Sequence, residues 1–130
     1  MNGIACPRIG RPLAWLFLGA FSLCASAASA QEEAGEIAYN NACRTCHSLE
    51  EGDNRLGPNL HNIIGREAGA LPDFAYSPSM KNSEIVWDEQ SLDRFIEDPD
   101  AVISGNRMKP YGGMASAEDR AAIVAYLKTL

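Results

Sequence analysis

Two cysteines three residues apart, with a histidine directly after the second, constrain this chain more than any other feature: Cys43-Arg44-Thr45-Cys46-His47. The C-x-x-C-H pattern is the signature of c-type haem attachment. On a helical turn, residues i and i+3 share a face, so two thiols can meet the two vinyl groups on one edge of a porphyrin. The next residue is then held at the metal, where its imidazole becomes an axial ligand at almost no ordering cost. Three other readings compete. A zinc site needs four ligands, and outside the motif the sequence has one further histidine, His61. A redox-active C-x-x-C belongs with a βαβ pattern, which is missing around it. A plain disulfide has no use for His47.

The residues before the motif support haem attachment by setting the compartment. Arg8 and Arg11 precede an apolar run, Leu13 to Leu23, and Ala28-Ser29-Ala30 forms a small-residue cleavage site. This is the pattern of a secretory signal peptide, and the run is too short for a spanning helix. Residues 1–30 are therefore expected to be removed, with Gln31 first in a mature domain of residues 31–130. Phe21-Ser22-Leu23 suits a lipoprotein site at Cys24 poorly. Cleavage removes Cys6 and Cys24, so the remaining thiols are those of the motif, in an oxidising, periplasmic setting. It also removes two of eleven basic residues and none of the seventeen acidic ones, leaving 9 against 17 and a net charge of −8. Such an acidic domain is a poor binder of nucleic acid or anionic membrane, and its partners are expected to offer basic docking surfaces. With 46% hydrophobic and 22% charged residues, the chain is globular in composition and one domain in length.

An electron-carrying haem iron needs a second strong-field ligand, and a thioether raises the reduction potential by favouring ferrous iron. The mature chain offers Met80, Met108 and Met114. Met108 sits in a Gly/Pro-rich stretch, Ser104 to Gly113, suited to wrapping a cofactor edge. Methionine is more often core packing than a ligand, and on the residues alone Met108 and Met114 stay level.

Local signals predict a small all-helical fold. Glu33 to Ala42 reads as a helix running into the haem motif. Pro58 to Gly65 and Ser77 to Asn82 are each expected to hold a short helical turn. Asp88 is a good N-cap for a helix burying Leu92, Phe95 and Ile96, which Pro99 stops. Ser116 with Asp119 suggests a capping box ahead of an apolar stripe, Ala122, Ile123, Tyr126, Leu127 and Leu130. The first and last helices are expected to cross, with Gly35 permitting close approach to Tyr126.

Further stretches carry a family resemblance: Gly57-Pro58-Asn59-Leu60-His61, Gly65-Arg66, Phe74-Ala75-Tyr76, Trp87, Glu97-Asp98-Pro99, Gly105-Asn106-Arg107-Met108 and Ile123 to Leu127. In order and spacing the chain resembles the class I cytochrome c family, the branch of mitochondrial cytochrome c and its bacterial relatives, over nearly all of residues 33–130. The resemblance implies about five helices wrapped around one covalent haem c. Cys43 and Cys46 would form the thioethers and His47 the proximal ligand, its ring N–H bonded to the Pro58 carbonyl. Met108 would be the distal ligand. Arg66, Tyr76 and Trp87 would donate to buried propionates, which need charge-assisted or aromatic donors. Three positions depart from the family. Phe95 replaces a tyrosine that bonds the methionine sulfur, Met80 an asparagine, and Asn106 a threonine that donates near a propionate. A distal pocket with fewer donors alters the potential. The family's lysine-rich docking face is absent.

The function expected is a soluble, monomeric one-electron carrier and not an enzyme, with no catalytic residue. Its partners would be an oxidase, a bc1-type complex, a reaction centre or a dehydrogenase. The alternative is a dedicated electron-acceptor subunit of one periplasmic dehydrogenase. A peroxidase or gas sensor needs an acid–base residue above an open iron, and His61 is expected on the surface of the proximal side.

Overall fold

The computed structural model describes residues 25–130, so most of the expected signal peptide lies outside the described residues. Five helices follow in order: α1 (Ala25–Ala42), α2 (Pro78–Lys81), α3 (Glu89–Glu97), α4 (Pro99–Val102) and α5 (Ala117–Leu127). Among the described residues the β structure is one isolated bridge, Glu67 to Val86. The all-helical cytochrome c fold expected from the sequence is the one observed.

Among the described residues α1 runs from Ala25, reaching back well before Glu33. Its first turns are rich in alanine, the strongest helix former, so the helix extends back through Ala28-Ser29-Ala30. No helix among the described residues is long and apolar enough to cross a membrane.

α1 and α5 cross as expected at Gly35. A Cβ there would lie 2.4 Å from the Ala122 carbonyl oxygen and 2.6 Å from the Tyr126 Cβ, so only glycine allows this approach. Close by, the Tyr39 and Tyr126 rings pack with centroids 6.0 Å apart. Tyr39, Ile123 and Leu127 are the most deeply buried large side chains.

α3 starts where Asp88 predicts. The Asp88 carboxylate accepts from the Ser91 N–H at 2.6 Å, and the Ser91 hydroxyl accepts from the Asp88 N–H at 2.9 Å, a complete capping box. Leu92, Phe95 and Ile96 form the buried face. Pro99 ends α3 and also opens α4 as its first residue, while Asp98 accepts from the N–H groups of Asp100 and Ala101. Ser116 caps α5 through the Asp119 N–H at 3.2 Å.

The segment from Pro58 to Gly65 departs from expectation, forming turns and no helix. Its backbone groups are engaged elsewhere. The Asn59 and Leu60 N–H groups donate to the Asn54 side chain and the Ser48 carbonyl. Arg66 takes the carbonyls of Asn59 and His61, and Asn62 adopts a left-handed φ of 49°. Ser77 to Asn82 does hold the expected turn, α2, capped by Ser77.

Candidate haem-binding site

The helices enclose a cavity of about 400 Å³ with a mostly apolar wall. All eight residues singled out from the sequence line it: Cys43, Cys46, His47, Pro58, Arg66, Tyr76, Trp87 and Met108. They come from six separate stretches of chain, so the cavity is a product of the tertiary fold.

Cys43 to His47 continues α1 as a hydrogen-bonded turn. The Cys43 N–H donates to the Tyr39 carbonyl at 2.8 Å, and the His47 N–H donates to the Cys43 carbonyl at 3.0 Å. Both thiols are free. Burial pushes the Cys43 thiol up to about 11, the reverse of the lowered value a redox-active C-x-x-C requires. His47 is buried, and its Nδ1–H donates to the Pro58 carbonyl at 2.7 Å. Burial, with the charge of Arg66 adding to it, lowers the imidazole pKa against the opposing pull of the Pro58 bond. The ring is therefore neutral near pH 7, with Nδ1 protonated and the Nε2 lone pair available to a metal. Gly57 makes this placement possible, since a Cβ there would lie 2.3 Å from His47 Cε1.

Met108 and Met80 line the cavity, whereas Met114 packs against the core outside it. Position therefore separates Met114 from the two methionines that share the cavity with His47. Phe95 lines the cavity with its ring centroid 5.0 Å from that of Trp87, so the position occupied by tyrosine in the family offers no hydroxyl here. Trp87 is buried and Tyr76 half-buried. Arg66 is half-buried, and two of its five donors go to the Asn59 carbonyl at 2.7 Å and the His61 carbonyl at 3.2 Å.

Several residues that sequence reasoning passed over shape the site. Tyr111 lines the cavity, and its hydroxyl donates to the Ile96 carbonyl at 2.8 Å. Arg120, a buried residue of α5, pairs with Asp93 at 3.1 Å and Glu97 at 3.4 Å on α3. It also donates to the carbonyls of Met114 and Ala115, behind the Met108 loop. A charged residue on an otherwise apolar helical stripe was the available signal for Arg120. Nothing local marks Tyr111. A second, more open hollow of about 570 Å³ shares Arg66 and includes His61 and Asp73, with no thiol or methionine in its wall.

The residues fit a haem. Two free thiols, a histidine with Nε2 available and a methionine share one apolar wall, and a glycine makes room for the imidazole. Comparison with known proteins gives the same assignment. Residues 30–127 match the family described as cytochrome C oxidase, cbb3-type, subunit III. Cytochrome c of Euglena viridis is 39% identical over 98 residues, covering 75% of this chain and 95% of that protein. The chain belongs to the class I cytochrome c family. Its relatives in that family include cytochrome c2 iso-2 of Magnetospirillum fulvum, 43% identical over 88 residues, which are 68% of this chain and 91% of that protein. Cytochrome c2 of Rhodomicrobium vannielii is 35% identical over 131 residues, covering 99% of this chain and 97% of that protein. As a class I cytochrome c, the protein holds haem c covalently.

Proposed function

We propose that this cytochrome is a soluble, monohaem one-electron carrier with iron held between His47 and Met108. The observation that carries the reading is the placement of Met108, on its Gly/Pro-rich loop, in the cavity wall that also holds His47; Met80 reaches the same wall from α2, and Met114 lies outside it. Bound haem supplies a ferrous/ferric couple. The chain does the rest. Cys43 and Cys46 carry the thioether bonds, and Pro58 holds the imidazole in the tautomer that leaves Nε2 free. The Met108 thioether favours the ferrous state. Arg66, Tyr76 and Trp87 donate to the propionates, Arg66 with the donors left over from its carbonyl bonds. The apolar wall of Leu92, Phe95, Ile96 and Ile123 excludes water. His47 and Met108 would together hold the iron, which would keep the site closed to other molecules and let the couple cycle with little rearrangement of the chain.

The carrier is exported, and residues 1–30 are its signal peptide, cleaved after Ala30. The family match beginning at residue 30 supports that boundary. The net charge of the mature domain favours partners with basic docking surfaces. The cavity rim is different, because Arg107 and Lys109 are exposed there and no Asp or Glu lines the cavity. Leu56, 79% exposed, adds an apolar contact at the same edge. A partner's surface over the rim is therefore its less basic part.

Absorption spectra of the holoprotein, oxidised and reduced, test the ligation. A low-spin reduced spectrum and a weak far-red ferric band that disappears in Met108→Ala are expected. A band that survives that substitution, or rapid carbon monoxide binding by the reduced wild type, would overturn it.

A further inference from the structure

Asn106 stands where the family resemblance expects a propionate donor, and its bonds leave no hydrogen for that task. The side chain is 5% exposed. Its amide nitrogen donates to Asp100 Oδ1 at 2.9 Å and to the Ile103 carbonyl at 2.9 Å. An amide group has two hydrogens, so both are engaged. Its oxygen accepts from the Met108 N–H at 2.9 Å. The opposite orientation of the amide would set its N–H against the Met108 N–H and its oxygen against a carboxylate and a carbonyl. The three neighbours therefore fix the orientation chemically.

The series continues past Asn106. Asp100 Oδ2 accepts from Lys109 Nζ, on the other side of Met108. The Asp100 N–H donates to Asp98 at 3.1 Å, within the capped first turn of α4. Both chain neighbours of the Arg107–Met108 pair are thus tied through one carboxylate to a helix end. This stretch is bounded by Gly105, at φ 81°, and Gly113, at φ 102°.

From this geometry we infer that Asn106 is a positioning residue for Met108, with Asp100 as its anchor, and that it does not serve as a donor to the cofactor. The inference rests on the reading of Met108 as axial ligand. The tether holds the Met108 backbone so that a thioether which leaves the metal returns quickly. Without it, the loop opens more often and a competing ligand enters more readily.

The test uses ferric holoprotein mixed with imidazole, with loss of the far-red band followed in time. Asn106→Ala is expected to raise the displacement rate about tenfold, the effect of one lost hydrogen bond in a neutral pair. Asn106→Ser, which keeps an oxygen two residues ahead of the Met108 N–H, is expected to recover part of that. Asp100→Ala should also raise the rate, and the double variant should fall short of the product of the two single effects, because Asp100 acts partly through Asn106 and partly through Lys109. Denaturant unfolding followed by tryptophan fluorescence separates this from general destabilisation, which would not produce the non-additive pattern. A wild-type rate in Asn106→Ala, with the band still abolished by Met108→Ala, overturns the positioning role and leaves the ligation standing. A band retained in Met108→Ala overturns the ligation itself. If Asn106→Ala gives no holoprotein, the exposed Asp100→Ala decides, and a wild-type rate there overturns the inference.

Discussion

His47 and Met108 face the same cavity and are supported in opposite ways. Every restraint on His47 described above lies between Tyr39 and Pro58: the Cys43 carbonyl, the Pro58 carbonyl, Gly57 against the ring, and the Tyr39 hydroxyl, which donates to the His47 carbonyl at 2.9 Å. The Met108 loop is fastened by distant groups. The Ile96 carbonyl accepts from both the Tyr111 hydroxyl and the Met114 N–H at 3.0 Å, and a Cβ on Gly113 would meet the Glu97 carbonyl oxygen at 2.1 Å. The last carbonyls of α3, which lack helical partners, thereby hold the loop. Arg120 fastens its far end. One of the two proposed ligands is built into a short stretch of sequence, and the other depends on α3, α4 and α5 already being assembled.

The contrast is broken most severely on the near side. Gly57→Ala drives a methyl group into the imidazole, whose place is set by the Pro58 bond, and should cost about 3 kcal/mol. The denaturation midpoint of the holoprotein would show it, together with a disturbed low-spin spectrum. On the far side, Arg120→Met removes the donors to Met114 and Ala115 and should cost about 2 kcal/mol. The far-red band should then weaken on warming while the His47 side is unaffected. Equal disturbance of both sides would mean that the two supports are not separate.

Tyr111→Phe removes one hydrogen bond and should cost about 1 kcal/mol. The same group gives a pH signature. Burial pushes the Tyr111 phenol up to about 12, so its contribution is complete below its unfolded value of about 10 and is lost as pH rises toward about 12. Alkaline titration of stability should be flatter over that interval in the phenylalanine variant. The smallest effect concerns Asp88, remote from either ligand. The Ser91 N–H, then the Ser91 hydroxyl, hold its carboxyl below the usual range. A depressed value means the cap works above about pH 4 and fails as pH falls further. Asp88→Asn should flatten the acid limb of the stability curve and leave the far-red band unchanged.

The legible parts of the fold share a property. Gly35 and Asp88 announce themselves because helix crossing and helix capping need particular residue types at a particular spacing. Cys43 to His47 is legible for the same reason. Pro58 to Gly65 departs from its helical expectation because its backbone bonds go to Asn54, Ser48 and Arg66, which no local pattern reveals. Asn106 matches a family position, yet its bonding is set by Asp100 and Ile103, which α4 brings to it.

The sequence by itself determined the cofactor chemistry and the helical class, since each follows from residues close together in the chain. Only the tertiary structure decided that Met80 and Met108, and not Met114, share a cavity with His47, and what each polar side chain around it bonds to. Those outcomes depend on which distant groups meet once the core closes, and hydrogen-bond capacity, unlike spacing, is allotted only when every partner is in place.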